Sequence, residues 1–233
     1  LTHTIKWTPP SEGQYNIRVW LEEPNGATDA DPSNNEATYT TSAWDNVLER
    51  KPLYEVFTSS TCGPCAPGNV NMNNVLAPFA GDHVVVKYQQ NFPGTGDPYA
   101  TAETVNRRSY YGINSIPRLE IDGQWDRNAS TLTTNTHNEF KNIPAFVGID
   151  AKVDFWATSA KIDVEIDPIA DFPGNNILQV VIMEETTYFN AKTNGETEFE
   201  NVVKKMIPNQ NGTAIGPLTK GEKKNFSFTH TFY

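Results

Sequence analysis

Two cysteines, Cys62 and Cys65, stand three positions apart in the sequence Cys-Gly-Pro-Cys and are the only cysteines of the 233-residue chain. A run of strand-forming residues over 53–57 and a polar turn precede them, and apolar residues at roughly helical spacing follow. Cysteines three apart where a strand leads into a helix are typical of a redox pair, since they lie close enough for a disulfide to open and close. The unpaired N–H groups and the positive dipole end of such a helix favour the thiolate of the first cysteine. Pro64 lies where its missing N–H costs least.

Three other interpretations of this pair stay open. A zinc site needs more ligands, and the sequence has no second cysteine pair and only four scattered histidines. A structural disulfide is a real competitor because small exported proteins often contain one, although so short a loop constrains the unfolded chain weakly. Two inert buried thiols are disfavoured because a polar turn precedes Cys62.

A second pattern, YGINSIPRLEIDG, occupies residues 111–123. A strand-like alternation and a closing Asp-Gly turn follow Ile116-Pro117. Taken without the cysteines, Pro117 would best be an ordinary trans proline that opens a strand, since only about 5–6% of X–Pro bonds in folded proteins are cis. Together with Cys-Gly-Pro-Cys after a strand, however, the pattern resembles the thioredoxin superfamily.

The resemblance implies a role for each matching residue. Cys62 would be the attacking thiol, Cys65 the resolving thiol, and Pro117 a cis-proline packed beside the two sulfurs. The substrate would be a protein thiol or disulfide, and the only cofactor would be the redox-active disulfide itself, with no metal. The residues that this resemblance places against the substrate are Thr61, Gly63, Pro64 and Ile116, the last through its backbone groups.

Two positions depart from the superfamily pattern. Thr61 stands where thioredoxins carry tryptophan before the first cysteine, and Val56 stands where they carry a buried acid. Glu55 is one position earlier, and strand alternation places its side chain on the opposite face of the sheet. The residue that handles protons at the cysteines is therefore not identified by the sequence.

The predicted fold class is α+β and multidomain, with a thioredoxin-like α/β domain flanked by immunoglobulin-like β-sandwich segments. We expect a partial immunoglobulin-like segment over 1–44, with strands near 3–8, 15–21 and 36–41. The thioredoxin-like domain is predicted over 45–145, with His137 on the surface of a polar helix near 130–142. Alternating apolar residues over 146–233 predict a C-terminal β-sandwich domain.

Two further resemblances concern the flanks. Residues 1–43 resemble the end of a bacterial immunoglobulin-like cell-adhesion module. The stretch 194–208 resembles part of a Bacteroidota family of outer-membrane-associated proteins that join a thioredoxin-like unit to a C-terminal sandwich. These resemblances imply export to the periplasm, the outer-membrane surface or the extracellular space. The chain starts at Leu1 rather than Met, so we expect a processed or truncated piece of a longer protein.

Charge and hydropathy exclude several partners. With 18 Lys and Arg against 28 Asp and Glu, the net charge is −10, which argues against binding to nucleic acid or to anionic membranes. No run of about 18 apolar residues is present, so no transmembrane segment is predicted. Asp29, Asp31 and Asn34 offer oxygen ligands for calcium, but an Asp- and Asn-rich turn is the better interpretation.

Two functions fit these patterns. The first is an exported thiol–disulfide oxidoreductase, a reductase or an isomerase, that acts on protein thiols and disulfides and is recharged by an unidentified electron donor. The second is a cell-surface binding or adhesion protein in which Cys62 and Cys65 form a structural disulfide.

Overall fold

The computed structural model describes residues 6–22, 26 and 28–232, and the chain divides into two compact units, 1–47 and 48–233. In the first unit, β1 (Gly13–Trp20) pairs antiparallel with β2 (Glu36–Ala43). Of the strand expected over 3–8, residues 3–5 lie outside the described residues and 6–8 form no strand.

The connection between β1 and β2 contains a turn rich in Asp and Asn. The side chain of Asp29 accepts the N–H of Asp31, and the side chain of Asp31 accepts the N–H of Ser33. These are the hydrogen bonds of an ordinary Asx turn. The immunoglobulin-like assignment of this unit stays a prediction, because the two described strands form only one antiparallel pair.

The second unit is built on a mixed sheet of six strands, which are β3 (Leu53–Thr58), β4 (Val84–Gln89), β5 (Arg118–Ile121), β6 (Trp125–Arg127), β10 (Val180–Thr187) and β11 (Phe199–Ile207). Their order in the sheet is β10-β11-β4-β3-β5-β6. Strand β3 is parallel to β4, and β11 is also parallel to β4; the other pairs are antiparallel. The helices of this unit are α1 (Cys65–Leu76), α2 (Ala102–Tyr110) and α3 (Thr134–Lys141).

Apolar side chains on the two faces of the central sheet pack into two separate cores. Tyr54 and Val56 of β3 face a first core with Met72 and Leu76 of α1. The intervening Phe57 faces a second core on the other side of the sheet. Because successive side chains of a strand point to opposite faces, one short strand supports both layers and holds α1 at a fixed position above the sheet.

Further strands form two small antiparallel sheets and a third core. These strands are β7 (Val147–Trp156), β8 (Ser159–Pro168), β9 (Phe172–Leu178), β12 (Thr213–Leu218) and β13 (Lys224–Thr231). The larger sheet has the order β13-β8-β7, and the smaller pairs β12 with β9. The third core contains Ile162, Val164, Ile166, Leu178, Ile207 and Leu218. The unit is thus an α+β fold with a central mixed sheet and small antiparallel sheets.

The chain beyond 145 differs from the separate sandwich that was predicted, because β10 and β11 extend the central sheet. Val181 and Met183 of β10 pack on the second core, whereas Val180 and Ile182 pack on the third. A strand with apolar side chains on both faces needs cover on both sides, which a place between the two cores provides. The sheet therefore crosses the boundary predicted at 145/146.

Candidate functional site

Cys62 and Cys65 form a disulfide at the start of α1, with their Cα atoms 5.3 Å apart. The helix begins at Cys65, so Cys62 lies in the turn before it, and the N–H of Cys65 donates to the Cys62 carbonyl oxygen at 3.1 Å. Both cysteines are buried, at 2% and 0% exposure. Gly63 and Pro64 between them are exposed. An approaching molecule therefore meets the Gly63-Pro64 turn first, whereas the two cysteines themselves are covered in the oxidised protein.

Pro117 packs on the first part of the same helix. The Ile116–Pro117 peptide bond is cis, as the resemblance implied. The ring of Pro117 faces Gly68, one turn after Cys65, since a Cβ at Gly68 would lie in van der Waals contact with it at 3.5 Å. The structure thus brings Cys65 and Pro117 to the same end of α1. Ile116 is partly buried against the second core, so its side chain is not a free surface group, and its backbone role stays a prediction.

A loop over 91–97 holds the polar turn before Cys62 from one side. Thr61, predicted as a substrate contact, donates its hydroxyl to the Pro93 carbonyl oxygen at 2.7 Å. The N–H of Ser60 donates to the carboxylate of Asp97 at 3.0 Å. Asp97 is almost fully buried and also accepts the N–H of Tyr99 and the side-chain amide of Asn190. The sequence marks this loop as rich in turn formers but gives no sign of the role of Asp97.

The segment between β10 and β11 holds the same turn from another side. The N–H groups of Thr193 and Asn194 both donate to the Ser60 carbonyl oxygen at 3.0 Å. The Asn194 side chain donates to the Ser59 carbonyl oxygen at 3.2 Å. Glu196 accepts the side-chain amide of Asn69 on α1 at 2.8 Å. The stretch that resembles the Bacteroidota family therefore starts with residues that contact the turn before Cys62.

Polar side chains are buried between α1 and the sheet below the disulfide. Asn69 and Lys87 are each 4% exposed, and Lys87 is the register partner of Val56. Burial lowers the pKa of Lys87, while the negative charges of Glu200 and Glu196 act in the opposite direction. The position where the superfamily carries an acid is thus apolar in β3, and the nearby carboxylates come from the β10–β11 segment and β11.

Glu55 lies on the far side of the sheet from α1. Its carboxylate pairs with Arg107 of α2 at 2.7 and 2.9 Å and accepts the Tyr111 hydroxyl. The register between β3 and β4 runs without a shift from Leu53 to Thr58, so no bulge turns Glu55 toward the disulfide. Burial raises the pKa of Tyr111, with the Glu55 charge adding to the effect, so Tyr111 stays a hydrogen-bond donor.

The prediction that His137 lies on the surface is wrong. His137 is fully buried, its Nδ1 is 2.9 Å from the Tyr54 hydroxyl, and its ring stacks on Phe79 with centroids 4.2 Å apart. Burial lowers its pKa. It belongs to the packing of α3 on the first core and not to the cysteine site.

Two negative findings concern other kinds of site. Among the residues that the structure describes, no three His, Cys, Asp or Glu side chains are grouped so as to hold a metal ion. Within the same described residues, no helix has the length and apolar character needed to cross a membrane.

No protein-family model matches the sequence, and no curated protein matches it either. Two solved structures share its fold. Protein AGR_C_4864 from Agrobacterium tumefaciens has a TM-score of 0.51 and 16% identity over 81% of this chain and 80% of its own. HBP35 of Porphyromonas gingivalis has a TM-score of 0.62 and 12% identity over 79% of this chain and 65% of its own. At these identities the likeness concerns the fold alone, which with the Cys-Gly-Pro-Cys disulfide at the start of α1 is thioredoxin-like.

Proposed function

We propose that this chain is a thiol–disulfide oxidoreductase that exchanges disulfides through Cys62 and Cys65. The observation that carries the proposal is the disulfide at the N-terminus of α1, with Pro117 packed on the first turns of the same helix. A helix N-terminus stabilises a thiolate, and the thiolate is the species that attacks a disulfide.

The position of each sulfur supports a division of roles. Cys62 lies in the turn beside exposed Gly63, whereas Cys65 lies on the buried face of α1. In the reductive direction, the Cys62 thiolate attacks a substrate disulfide and releases one substrate thiolate, leaving a mixed disulfide. The Cys65 thiol then attacks the Cys62 sulfur, and its proton passes to the second substrate sulfur as that sulfur leaves. The substrate disulfide gains two electrons, and the Cys62–Cys65 pair loses two.

The partners follow from this chemistry. A protein disulfide is the substrate, docked over Gly63 and Pro64 with Thr61 and the Ile116 backbone at its edges. An external dithiol returns the pair to its reduced state. The glycine and proline between the cysteines favour reductase or isomerase work, and the resemblances of the flanks favour an exported setting.

One observation favours a second function, a cell-surface binding protein with a structural disulfide. Both cysteines are nearly inaccessible in the oxidised state, and hydrogen bonds from loop 91–97 and from the β10–β11 segment hold the turn before Cys62. A disulfide held in this way is protected from thiols, which suits a permanent cross-link.

A redox titration separates the two functions. The protein is equilibrated in thiol–disulfide buffers of graded potential, and free thiols are trapped and counted by mass. A reversible midpoint of roughly −270 to −120 mV supports disulfide exchange, whereas a pair that stays oxidised below about −300 mV is structural. As a second arm, the reduced Cys65→Ser variant should accumulate a mixed disulfide with a protein substrate that carries a disulfide, with one substrate thiol released, while the matched Cys62→Ser variant should not.

A further inference from the structure

The side chain of Asn69 contains a buried polar atom that has no hydrogen-bond partner among the described residues. It stands four residues after Cys65, which places the two side chains on the same face of α1, and both residues are buried. Its amide nitrogen donates to Glu196 at 2.8 Å and to Thr58 at 3.2 Å. Its carbonyl oxygen is buried without a hydrogen-bond partner among the described residues. Leaving such a buried acceptor unsatisfied destabilises the folded protein, so it calls for a functional explanation.

Glu196 fixes which way the Asn69 amide points. A carboxylate only accepts hydrogen bonds, so the Asn69 nitrogen must face it and the oxygen must face away. Glu196 is itself held by Asn194, whose side-chain oxygen accepts the Glu196 N–H at 3.0 Å and whose amide donates to the carboxylate. The Asn69 oxygen is therefore held in one orientation by the β10–β11 segment.

The hydrogen-bonding capacity of Cys65 changes with redox state. In the disulfide, the Cys65 sulfur carries no proton. In the dithiol, Cys65 carries an S–H group, which is a hydrogen-bond donor, four residues before Asn69 on the same buried face of α1. Reduction therefore creates a buried donor one helical turn from a residue whose carbonyl oxygen has no partner among the described residues of the oxidised protein.

We propose that the Asn69 carbonyl oxygen accepts a hydrogen bond from the Cys65 thiol in the reduced protein, and that Glu196 is the positioning residue that orients Asn69 for this bond. The inference rests on the proposed function of the cysteine pair. The bond stabilises the dithiol relative to the disulfide and so raises the midpoint potential. The bond holds Cys65 as a neutral thiol until the Cys65 sulfur attacks Cys62, and the Cys65 proton then passes to the leaving substrate sulfur.

The chain offers a matched control for Glu196. Glu200 accepts the side-chain amide of Asn73, one turn further along α1, at 2.9 Å. The negative charges of Glu196 and Glu200 both act to raise the pKa of Lys87. Removing Glu200 therefore takes away a similar negative charge and a similar Asn–Glu bond, but it leaves the orientation of Asn69 unchanged.

The experiment is to measure the midpoint potential of the full chain and of single variants in graded dithiothreitol buffers. Glu196→Ala should lower the midpoint by about 20 mV, which is about a fivefold change in the equilibrium constant of a two-electron couple. Glu196→Gln keeps an oxygen that accepts a hydrogen bond from the Asn69 amide, so it should lower the midpoint potential by no more than half as much as Glu196→Ala does. Glu200→Ala should change the equilibrium constant by less than about 1.5-fold, which is about 5 mV in the midpoint.

A double-mutant cycle tests the route of the effect. Asn69→Ala should lower the midpoint potential as much as Glu196→Ala does. The midpoint of the double variant should be no lower than that of either single variant, because the two substitutions remove the same hydrogen bond. The inference is overturned if Glu196→Ala leaves the midpoint potential unchanged or if Glu196→Gln lowers it as much as Glu196→Ala does. It is also overturned if Glu200→Ala lowers the midpoint potential as much as Glu196→Ala does. A wild-type pair without a reversible midpoint would instead reject the proposed function. Far-UV circular dichroism checks that each variant is folded.

Discussion

The carboxylate of Asp97 accepts the backbone N–H of Ser60 at 3.0 Å, which ties loop 91–97 to the turn two residues before Cys62. The same carboxylate accepts the N–H of Tyr99 and the amide of Asn190. One buried side chain thus joins three segments around the disulfide.

Replacing Asp97 with alanine should lower the free energy of unfolding by roughly 2–5 kcal/mol, because three donors lose a charged acceptor in a buried place. Urea unfolding of the oxidised protein measures this. Asp97→Asn should cost less, since one carbonyl oxygen remains. Asp154→Ala, which removes an exposed carboxylate paired with Lys152, should leave the unfolding free energy nearly unchanged. Equal losses for Asp97→Ala and Asp154→Ala would contradict this role.

Gly96 is required by the shape of loop 91–97. Its φ is +72°, and a Cβ there would lie 2.6 Å from the Cα and 2.7 Å from the carbonyl oxygen of Asn91. Gly96→Ala should therefore destabilise the protein by roughly 2–4 kcal/mol, from left-handed backbone strain plus overlap. It should also speed reduction of the disulfide by dithiothreitol, because the loop bonded to Thr61 is displaced.

Gly94 provides the control in the same loop. Its φ is +61°, but no atom lies within 4 Å of the position of an added Cβ. Gly94→Ala should therefore cost only the backbone term, about 1–2 kcal/mol. If the two alanine variants melt at the same temperature in a thermal scan, overlap with Asn91 is not what makes Gly96 necessary.

Arg107→Ala should destabilise the fold by about 3–5 kcal/mol, because it leaves the buried carboxylate of Glu55 without its cation. The side chains are 12% and 2% exposed. Arg107→Lys should recover only part of the loss, since lysine lacks the paired donors that meet both carboxylate oxygens. The exposed pair of Lys223 and Glu165 gives the comparison, and Lys223→Ala should change urea unfolding little.

Glu120 should make stability depend on pH. Its pKa is raised to about 7, chiefly by burial, then by the charge and hydrogen bond of Asp126 and by the charge of Glu55. The folded protein therefore keeps this proton at pH values where the unfolded chain has lost it. Its contribution to stability is fully present below the unfolded pKa near 4.5 and is lost as pH rises through about 7.

Urea unfolding between pH 4.5 and 8 measures this dependence. Glu120→Gln, which cannot ionise, should flatten the decline in unfolding free energy as pH rises. Glu139→Gln on α3 replaces an exposed carboxylate and should keep the wild-type slope. A slope that is unchanged in Glu120→Gln would assign the dependence to another group.

The parts of the site that are local in sequence could be predicted. The spacing of Cys62 and Cys65 after a strand placed them at the start of a helix, and the resemblance implied the cis peptide before Pro117. Strand alternation also placed Glu55 on the face opposite α1. These features follow from short-range periodicity and from a few residues between turns.

The parts of the fold and of the site that depend on residues distant in the sequence could not be predicted. Periodicity shows that β10 and β11 are apolar but not that β11 pairs with β4 and β10 with β11, because a strand with two apolar faces fits any covered position. His137 lies in a polar helix, and only the approach of Tyr54 and Phe79 makes it buried. Asp97 and Glu196 act on residues far away in the chain, so no local pattern marks them.

The hydrogen bond between Asn69 and Glu196 joins positions 127 residues apart. A growing chain therefore presents its cysteine pair well before the segment that holds the neighbouring turn has been made. At synthesis rates of about 5–20 residues per second, the interval is roughly 6–25 s. During that interval the turn before Cys62 lacks the hydrogen bonds that residues 193–196 supply in the folded protein, so the cysteine pair of the nascent chain is more open to other thiols and becomes restricted only after this segment has been made.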